Sequence, residues 1–277
     1  MRRAFLWVAA LSCTIQLSGD SLLAQERTPA PVPELITDRP DRTESTALIP
    51  PSLVQLEAGA SWAQDDDAGT RVRALAVSEV LLRIGVLPAL EARLGFSGWR
   101  RRSVAGDGAP GRTESGIGDI SVGFKTSVLA ARAGLPEIAF IGTLLLPTGR
   151  EGLGAERVEP EARLALAHDL SQRVSLGYNV AATWTSAANG AGGVETNTDL
   201  LYTAVLGVAL TDRVGAFVEA FGAIALGDNR SSASALDGGL TFLVHERLQL
   251  DVTGGVGLNA AAEDWLLGLG FSVRMPR

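Results

Sequence analysis

Cysteine, lysine and long apolar runs are all scarce in this chain of 277 residues. No stretch approaches the roughly 20 consecutive apolar residues that a membrane-spanning helix needs, which excludes a helical membrane protein. Cys13 is the only cysteine, so a mature chain that begins after it has no disulfide, although an exported protein is permitted one. With a net charge of −7 and a single lysine, Lys125, nucleic acid is not expected as a partner.

Residues with catalytic or ligand-binding chemistry are also sparse. His168 and His245 are the only histidines and lie far apart in the sequence, so they do not form a metal-ligand cluster. Asp65, Asp66 and Asp67 could hold a calcium ion through carboxylate oxygens, or could form a solvated loop tip. On balance we expect a protein that is not an enzyme and has no cofactor and no resident metal.

The chain does contain long stretches in which apolar and polar residues alternate. In residues 173–184, Val174, Leu176 and Val180 fall on one face and Ser175 and Asn179 on the other. Alternation of this length is typical of strands with one apolar and one polar face. The same analysis predicts twelve strands, at 52–63, 70–86, 89–101, 117–129, 136–147, 159–169, 173–184, 197–210, 213–226, 232–244, 247–258 and 264–275.

The connections between these strands alternate in length. Those after the even-numbered strands are mostly tight, whereas 64–69, 102–116, 148–158 and 185–196 read as longer polar loops. Short turns at one end and long loops at the other are typical of an outer-membrane barrel. A soluble β-sandwich would also alternate, but it has no reason to place its long loops on every second connection. We therefore predict an all-β fold, a transmembrane antiparallel up-and-down β-barrel of about 12 strands.

Four tryptophans support this topology. Trp62, Trp99 and Trp184 end predicted strands, and Trp265 begins one. In an up-and-down barrel all four lie at the long-loop end. Because indole rings prefer the headgroup level of a bilayer, we expect them to be membrane-interface aromatics.

The N-terminal region predicts export. Arg2 and Arg3 precede an apolar stretch, and small residues lead to a cleavage site after Ala24. We therefore predict a signal peptide at 1–24, a proline-rich periplasmic lead-in at 25–51 and an outer-membrane β-barrel at 52–277. The lead-in could partly plug the barrel, a point that the sequence leaves open.

Several blocks of the chain resemble the outer-membrane family labelled "putative MetA-pathway of phenol degradation". They are TDRPDRTES at 37–45, GIGDISVGFK at 116–125, LLLPTG at 144–149, LQLDVTGGVGLN at 248–259 and GLGFSVR at 268–274. The resemblance implies a barrel in the outer membrane of a Gram-negative cell, with a role in uptake that includes aromatic compounds. It implies outer-membrane lipid, a small-molecule solute and the barrel-assembly machinery as partners, and it implies no catalytic residues.

The polar face of the predicted strands carries charges of both signs. We expect the following residues to line a pore: Glu57, Glu91, Arg93, Asp119, Lys125, Glu161, Arg163, Phe217, Glu219, Phe221, Asp237, Asp251 and Arg274. Burying such charges without water or a partner would be costly, so the lumen is either hydrated or filled with ion pairs. The first reading predicts a channel for passive uptake of small solutes, aromatic compounds such as phenols among them. The alternative is a structural or adhesive barrel with a closed, ion-paired lumen, and an outer-leaflet enzyme ranks third.

Overall fold

A computed structural model describes residues 34–67, 69–106, 109–132, 134–188, 192–227 and 230–276. The predicted signal peptide, 1–24, lies outside the described residues. Within the described ranges, no helix is long and apolar enough to cross a membrane.

The described chain forms fourteen strands joined in one antiparallel sheet. Their bounds are β1 Leu53–Asp67, β2 Thr70–Leu87, β3 Leu90–Phe96, β4 Trp99–Gly106, β5 Ala109–Ile117, β6 Ile120–Leu129, β7 Glu137–Leu146, β8 Glu159–Asp169, β9 Val174–Ala188, β10 Val194–Ala209, β11 Val214–Leu226, β12 Ala233–His245, β13 Leu248–Gly257 and β14 Trp265–Pro276.

The sheet closes on itself. β1 pairs with β2 on one side and with β14 on the other, which closes the wall into a ring; among the described strands, β5 pairs with β4 alone. β3 and β4 lie end to end and both pair with β2, so together they form one wall strand. β6 pairs with β3 and β5 pairs with β4, so β6 and β5 together form the next wall strand. Counting each of these pairs as one wall strand gives the closed barrel of twelve strands that the sequence predicts. Closure satisfies the backbone groups that a sheet edge would expose to lipid.

Two wall strands are interrupted at the same level, between β3 and β4 and between β5 and β6. Gly98 has a φ of 75°, a left-handed conformation that favours glycine. Backbone hydrogen bonds from Ser97 N to Asp119 O (2.8 Å) and from Gly118 N to Gly98 O (2.7 Å) join the two interruptions. The predicted strand 89–101 runs through the first interruption, and the predicted strand 117–129 includes the second at its start.

Three of the predicted long loops are wrong in part, because strands continue into them. β4 and β5 occupy most of 102–116, and β1 runs on to Asp67 within the predicted loop 64–69. β9 and β10 likewise extend into 185–196, whereas 148–158 is a loop. Large apolar residues are few in these extensions, so the alternation that marks a strand in the membrane is missing from them.

A bulge in β2 reverses which side chains face the lumen. Gly59 pairs with Glu79 and Ala60 with Val77, which leaves Ser78 as an extra residue with a φ of 60°. One inserted residue exchanges the two faces of a strand with period two. Before the bulge the even-numbered residues of β2 point inward, and after it the odd-numbered ones do.

The outward face of the barrel is a continuous apolar band. Its exposed side chains include Leu94, Phe124, Leu164, Val180, Leu240, Leu250 and Leu269. Trp62, Trp99 and Trp184 also point outward and are exposed, and Trp265 packs edge-to-face against Trp62 with ring centroids 5.0 Å apart. All four lie towards the end with the long connections; their role at the membrane interface stays a prediction.

Because this band contacts lipid, the free-energy cost of placing a charged side chain on it should depend on the depth of the residue in the bilayer. Val180→Arg should lower the free energy of unfolding by about 2–4 kcal/mol, because Val180 lies well inside the band. Thr196→Arg is the matched control, since it changes the outward face of neighbouring β10 beyond the tryptophans, where the cost should be about 0–1 kcal/mol. Urea unfolding of the folded barrel in lipid vesicles measures both. Equal losses in the two variants would contradict the assignment of the band.

Candidate functional site

The described part of the lead-in, residues 34–51, lies inside the barrel. Its polar groups bond to inward-facing side chains on β1, β3, β6, β7, β9, β11 and β13, which come from all around the wall. Ile49 is 1% exposed. The prediction of a periplasmic lead-in is therefore corrected for 34–51: this segment carries polar groups that match the charges of the lumen, so it folds into the lumen.

Asp38 is the centre of the strongest set of contacts. Lys125 Nζ lies 3.0 and 2.9 Å from its two carboxylate oxygens, and Arg93 Nη1 lies 2.7 Å from Oδ2. Arg83 Nη1 is 3.1 Å from the same oxygen. Lys125 also donates to the backbone oxygen of Ser45 at 2.8 Å. One carboxylate of the lead-in thus joins three cations from three different strands.

Three further carboxylates complete this ion cluster. Glu91 accepts hydrogen bonds from Arg83 Nε and Nη2 at 2.8 and 3.0 Å, and Glu57 Oε1 lies 3.0 Å from Arg83 Nη1. Glu44 of the lead-in lies 2.7 Å from Arg93 Nη2. Arg83 has no exposed surface. Buried charges of this kind are tolerated when they are paired and their remaining hydrogen-bond capacity is used, as here.

The charge state of the lead-in carboxyls follows from these contacts. Burial alone would raise the pKa of Asp38, but attraction to Arg83, Lys125 and Arg93 outweighs it and holds that pKa well below its ordinary value. Burial raises the pKa of Asp41, and repulsion from Glu219 raises it further, so that it lies well above its ordinary value. Asp38 is therefore firmly ionised, whereas Asp41 is biased towards its neutral form.

A second group of contacts fixes residues 42–44 on the opposite wall. Arg42 N and Thr43 Oγ1 donate to the carboxylate of Glu219 at 2.8 and 2.5 Å. Glu44 N donates to Asn179 Oδ1 at 2.7 Å. The Arg42 guanidinium lies over the Phe221 ring, 4.5 Å from its centroid.

Arg39 crosses the space between the lead-in and the seam of β1, β13 and β14. Its Nη2 lies 3.1 Å from Asp251 Oδ1, and it donates to the backbone oxygen of Leu269 at 3.2 Å. The guanidinium packs directly against Gly59 and Gly270, and a methyl group at either position would clash with it. Small residues on the wall are what allow this arginine to span the lumen.

Residues 39–42 form a partition between cavities at the two ends of the barrel. An inner cavity of about 710 Å³ opens beside the short β8–β9 turn and is lined by Pro40, Asp41, Val205 and Phe217. An outer cavity of about 430 Å³ opens beside the β13–β14 connection. Its lining includes Arg42, Arg163, Leu201, Thr203, Phe221, Ala235, Ala262 and Leu266. Phe221 and Phe217 therefore lie on the two sides of Glu219, where the partition is attached.

The other residues predicted for the pore also face the interior, in several separate groups. Asp119 accepts hydrogen bonds from Thr148 N, Gly149 N and Ala155 N, at 2.9, 2.6 and 2.7 Å, and so fixes the 147–158 loop. Arg163 Nε donates to Glu161 at 2.8 Å.

Asp237 is buried beside its cross-strand neighbour Glu219. Arg274 Nε donates to Gln55 Oε1 at 2.8 Å, and its Nη1 donates to the backbone oxygen of Glu34 at 2.6 Å. Whether these residues line an open pore stays a prediction.

Sequence reasoning missed several residues of the site. Arg83 falls on the apolar face if alternation is read through β2 without the bulge at Ser78. Glu137, which accepts a hydrogen bond from Thr46 Oγ1 at 2.8 Å, stands at the very start of its strand. The lead-in residues have no periodicity to read. The charged motif at 37–45 was the available signal, because a folded segment rich in charges needs partners for them.

The two histidines are in separate surroundings. His168 Nε2 is 3.2 Å from the Tyr178 hydroxyl, and His245 Nδ1 accepts a hydrogen bond from Arg247 N at 3.4 Å in a turn. Among the described residues, no group of three or more histidine, cysteine, aspartate or glutamate side chains is placed to hold a metal ion. Asp66, considered above for calcium, instead pairs with Arg71 at 2.5 Å.

Comparison with known proteins gives one family and a set of solved barrels. The model of the family described as "Putative MetA-pathway of phenol degradation" matches residues 37–275. An outer membrane channel from Pseudomonas putida F1 is 15% identical, with a TM-score of 0.65 over 83% of this chain and 97% of that one. The translocator domain of the autotransporter NalP from Neisseria meningitidis is 12% identical, with a TM-score of 0.53 over 81% and 88%. No curated protein matches the sequence significantly.

These likenesses agree with the architecture described above. At such low identity the solved structures bear on the fold alone, and that fold is the outer-membrane β-barrel. Together with the outward apolar band, it places the chain in the outer membrane of a Gram-negative cell.

Proposed function

The chain belongs to the family described as "Putative MetA-pathway of phenol degradation", and from the geometry of its lumen we propose that it is a channel for passive uptake of small solutes, aromatic compounds among them. The observation that carries the proposal is the pair of cavities that open towards the two ends of the barrel and meet at residues 39–42. A solute that enters one cavity has a short barrier of side chains to pass before it reaches the other. Of the residues predicted to line a pore, Phe217 lies at the inner cavity and Arg163 and Phe221 lie at the outer one.

The chemistry of the two cavities supports an aromatic solute. Phe221 in the outer cavity and Phe217 in the inner one offer ring faces on either side of the partition. Leu201, Leu266 and several alanines surround Phe221, while Arg42 and Thr203 place polar hydrogens at the inner edge of the same cavity. A small ring that carries a hydroxyl group matches this combination. Outer membrane channels with the same fold, such as that of Pseudomonas putida F1, are consistent with the proposal.

Flux through the purified full chain in lipid vesicles tests this function. Wild type should admit phenol faster than an uncharged aliphatic alcohol of similar size, and it should show ionic conductance in planar bilayers. Phe221→Ala should reduce the preference for phenol by about two- to tenfold, since an aromatic contact contributes about 0.5–1.5 kcal/mol beyond its buried area.

A matched variant separates this effect from general damage. Phe242→Ala removes the same side chain from the lipid-facing side of β12, where it is 45% exposed, and should leave the preference unchanged. If wild type admits neither solute and carries no current, the channel is excluded.

The second candidate, a structural barrel with a closed lumen, rests on the ion cluster around Asp38. Its cations and carboxylates are paired without exposed surface at Arg83, Glu91 and Lys125, as a permanent plug requires. A closed barrel would give no conductance in wild type, whereas a channel would conduct without any change to the lead-in.

The remaining parts of the proposal concern export and partners. We propose that residues 1–24 direct export and that the barrel-assembly machinery inserts the chain. An enzymatic role is not part of the proposal, and the distance in sequence and the different surroundings of His168 and His245 support that choice.

A further inference from the structure

Three arginines lie together on the outward face of the barrel, just beyond the apolar band. Arg71 and Arg73 are on β2, and Arg101 is on β4 opposite Leu75. Leu75 is 37% exposed and pairs with the outward-facing Trp62, so the three arginines share the face of these apolar residues. Along its strand, each arginine is the first or second outward-facing residue beyond the apolar band, at the end of the barrel with the long connections.

The spacing of these arginines suits one compact anion. Arg73 and Leu75 are two residues apart, so Arg73 and Arg101 are diagonal cross-strand neighbours, about 7–8 Å apart at their backbones. Long side chains readily converge over that distance. Ser103 is directly opposite Arg73, and its hydroxyl lies 3.1 Å from that of Thr113, which adds neutral donors to the same surface.

Within the described ranges, most of the positive charge of these three arginines is not neutralised by a neighbouring carboxylate. Asp66 pairs with Arg71, but Arg73 Nε donates to the neutral amide oxygen of Gln64, at 3.0 Å. The Arg101 side chain has no hydrogen bond or ion pair within the part of the chain that the structure describes. Around the rest of the described wall, the outward positions beyond the tryptophans are neutral, so the positive charge is confined to one sector.

We propose that Arg73, Arg101 and Ser103 bind a phosphate group of a phosphorylated glycolipid in the outer leaflet. The surface next to them, Leu75, Trp99 and Ile117, is apolar and exposed, as contact with the acyl chains of the same molecule requires. Short turns of such barrels face the periplasm and long connections face outside. The guanidinium groups, which lie at the end with the long connections, are therefore at the level of the phosphate groups of the outer leaflet. Arginine suits this role because its planar donors match phosphate oxygens.

Lipid binding by the detergent-purified full chain tests the site. The probe is lipid A that carries two phosphates, and native mass spectrometry measures its apparent affinity. Arg73→Gln with Arg101→Gln should weaken binding by about tenfold, because charge-assisted hydrogen bonds to phosphate are the stronger class. Arg213→Gln with Arg247→Gln removes the same charge from exposed positions in the short turns and should leave the affinity unchanged.

Further arms identify what is recognised. Lipid A without phosphates should bind wild type as weakly as the intact lipid binds the first double variant. Equal binding of the two lipids, or complete competition by inorganic phosphate at the concentration of the lipid, would overturn the proposal. A change in gel migration on heating shows that each variant is folded. Because the proposal rests on the membrane orientation and not on the solute, its failure leaves the conductance result unaffected.

Discussion

Changing Asp38 to asparagine is expected to release the lead-in from the lumen and to raise the conductance of the full chain several-fold. Asp38 joins Arg83, Arg93 and Lys125 within 3.1 Å, and its pKa is held low by them after the cost of burial is overcome. Asparagine keeps the shape but not the charge. Removing one partner of a buried ion pair costs about 3–5 kcal/mol, and we expect that cost to make the docked state the minor one.

Asp41→Asn is the matched control, because it makes the same chemical change three residues away in the same segment. The pKa of Asp41 is raised, first by burial and then by repulsion from Glu219, so the neutral amide should fit at least as well as the carboxyl group. Planar bilayer recording compares the two variants, and limited proteolysis of residues 34–51 reports release directly. A lead-in that is equally protected in both variants would show that Asp38 does not hold it.

Acidification is expected to tighten docking of the lead-in and to lower conductance. Because the pKa of Asp41 is raised in the docked state, that state binds a proton more tightly than the released one, and docking gains stability as the pH falls towards the ordinary carboxyl pKa of about 3.9. Burial raises the pKa of Glu44 as well, despite Arg93, and acts in the same direction. Asp38 works oppositely, but its lowered pKa keeps it ionised throughout this range.

Conductance recorded between about pH 7 and pH 4.5 measures this dependence, since the window lies above the ordinary carboxyl pKa. The decrease on acidification should be smaller in Asp41→Asn than in wild type. An increase in conductance as the pH falls, or an identical profile in the two proteins, would contradict the assignment to Asp41.

The fold could be predicted from sequence because a membrane strand is a local feature. Alternation such as that around Val180 is imposed by lipid on one side and polar contacts on the other, and twelve such segments predicted twelve wall strands. Beyond the membrane that constraint ends, so the β4–β5 hairpin looked like a loop. Sequence reasoning missed Arg83 because of the bulge at Ser78. One extra residue exchanges the inward and outward faces of β2, and the amino-acid composition of the strand does not reveal it.

The site was harder to predict because its contacts are distant in sequence. Arg39 meets Asp251, and Thr43 meets Glu219, across separations of 212 and 176 residues. Alternation indicates that Glu219 and Asp251 face inward, but it does not say what fills the space between them. The charged segment at 37–45 supplies that filling, and nothing in its own sequence pattern distinguishes a plug from an extended periplasmic segment.

Attachment of the lead-in at the seam between the first and last strands sets an order of events in folding. Arg274 on β14 and Gln55 on β1 both bind backbone oxygens at the start of the described lead-in, Glu34 and Ile36. These two donors come together only after β14 has paired with β1. These contacts of the lead-in are therefore completed only after the barrel has closed, so we expect docking of the segment to finish after the wall around it has formed.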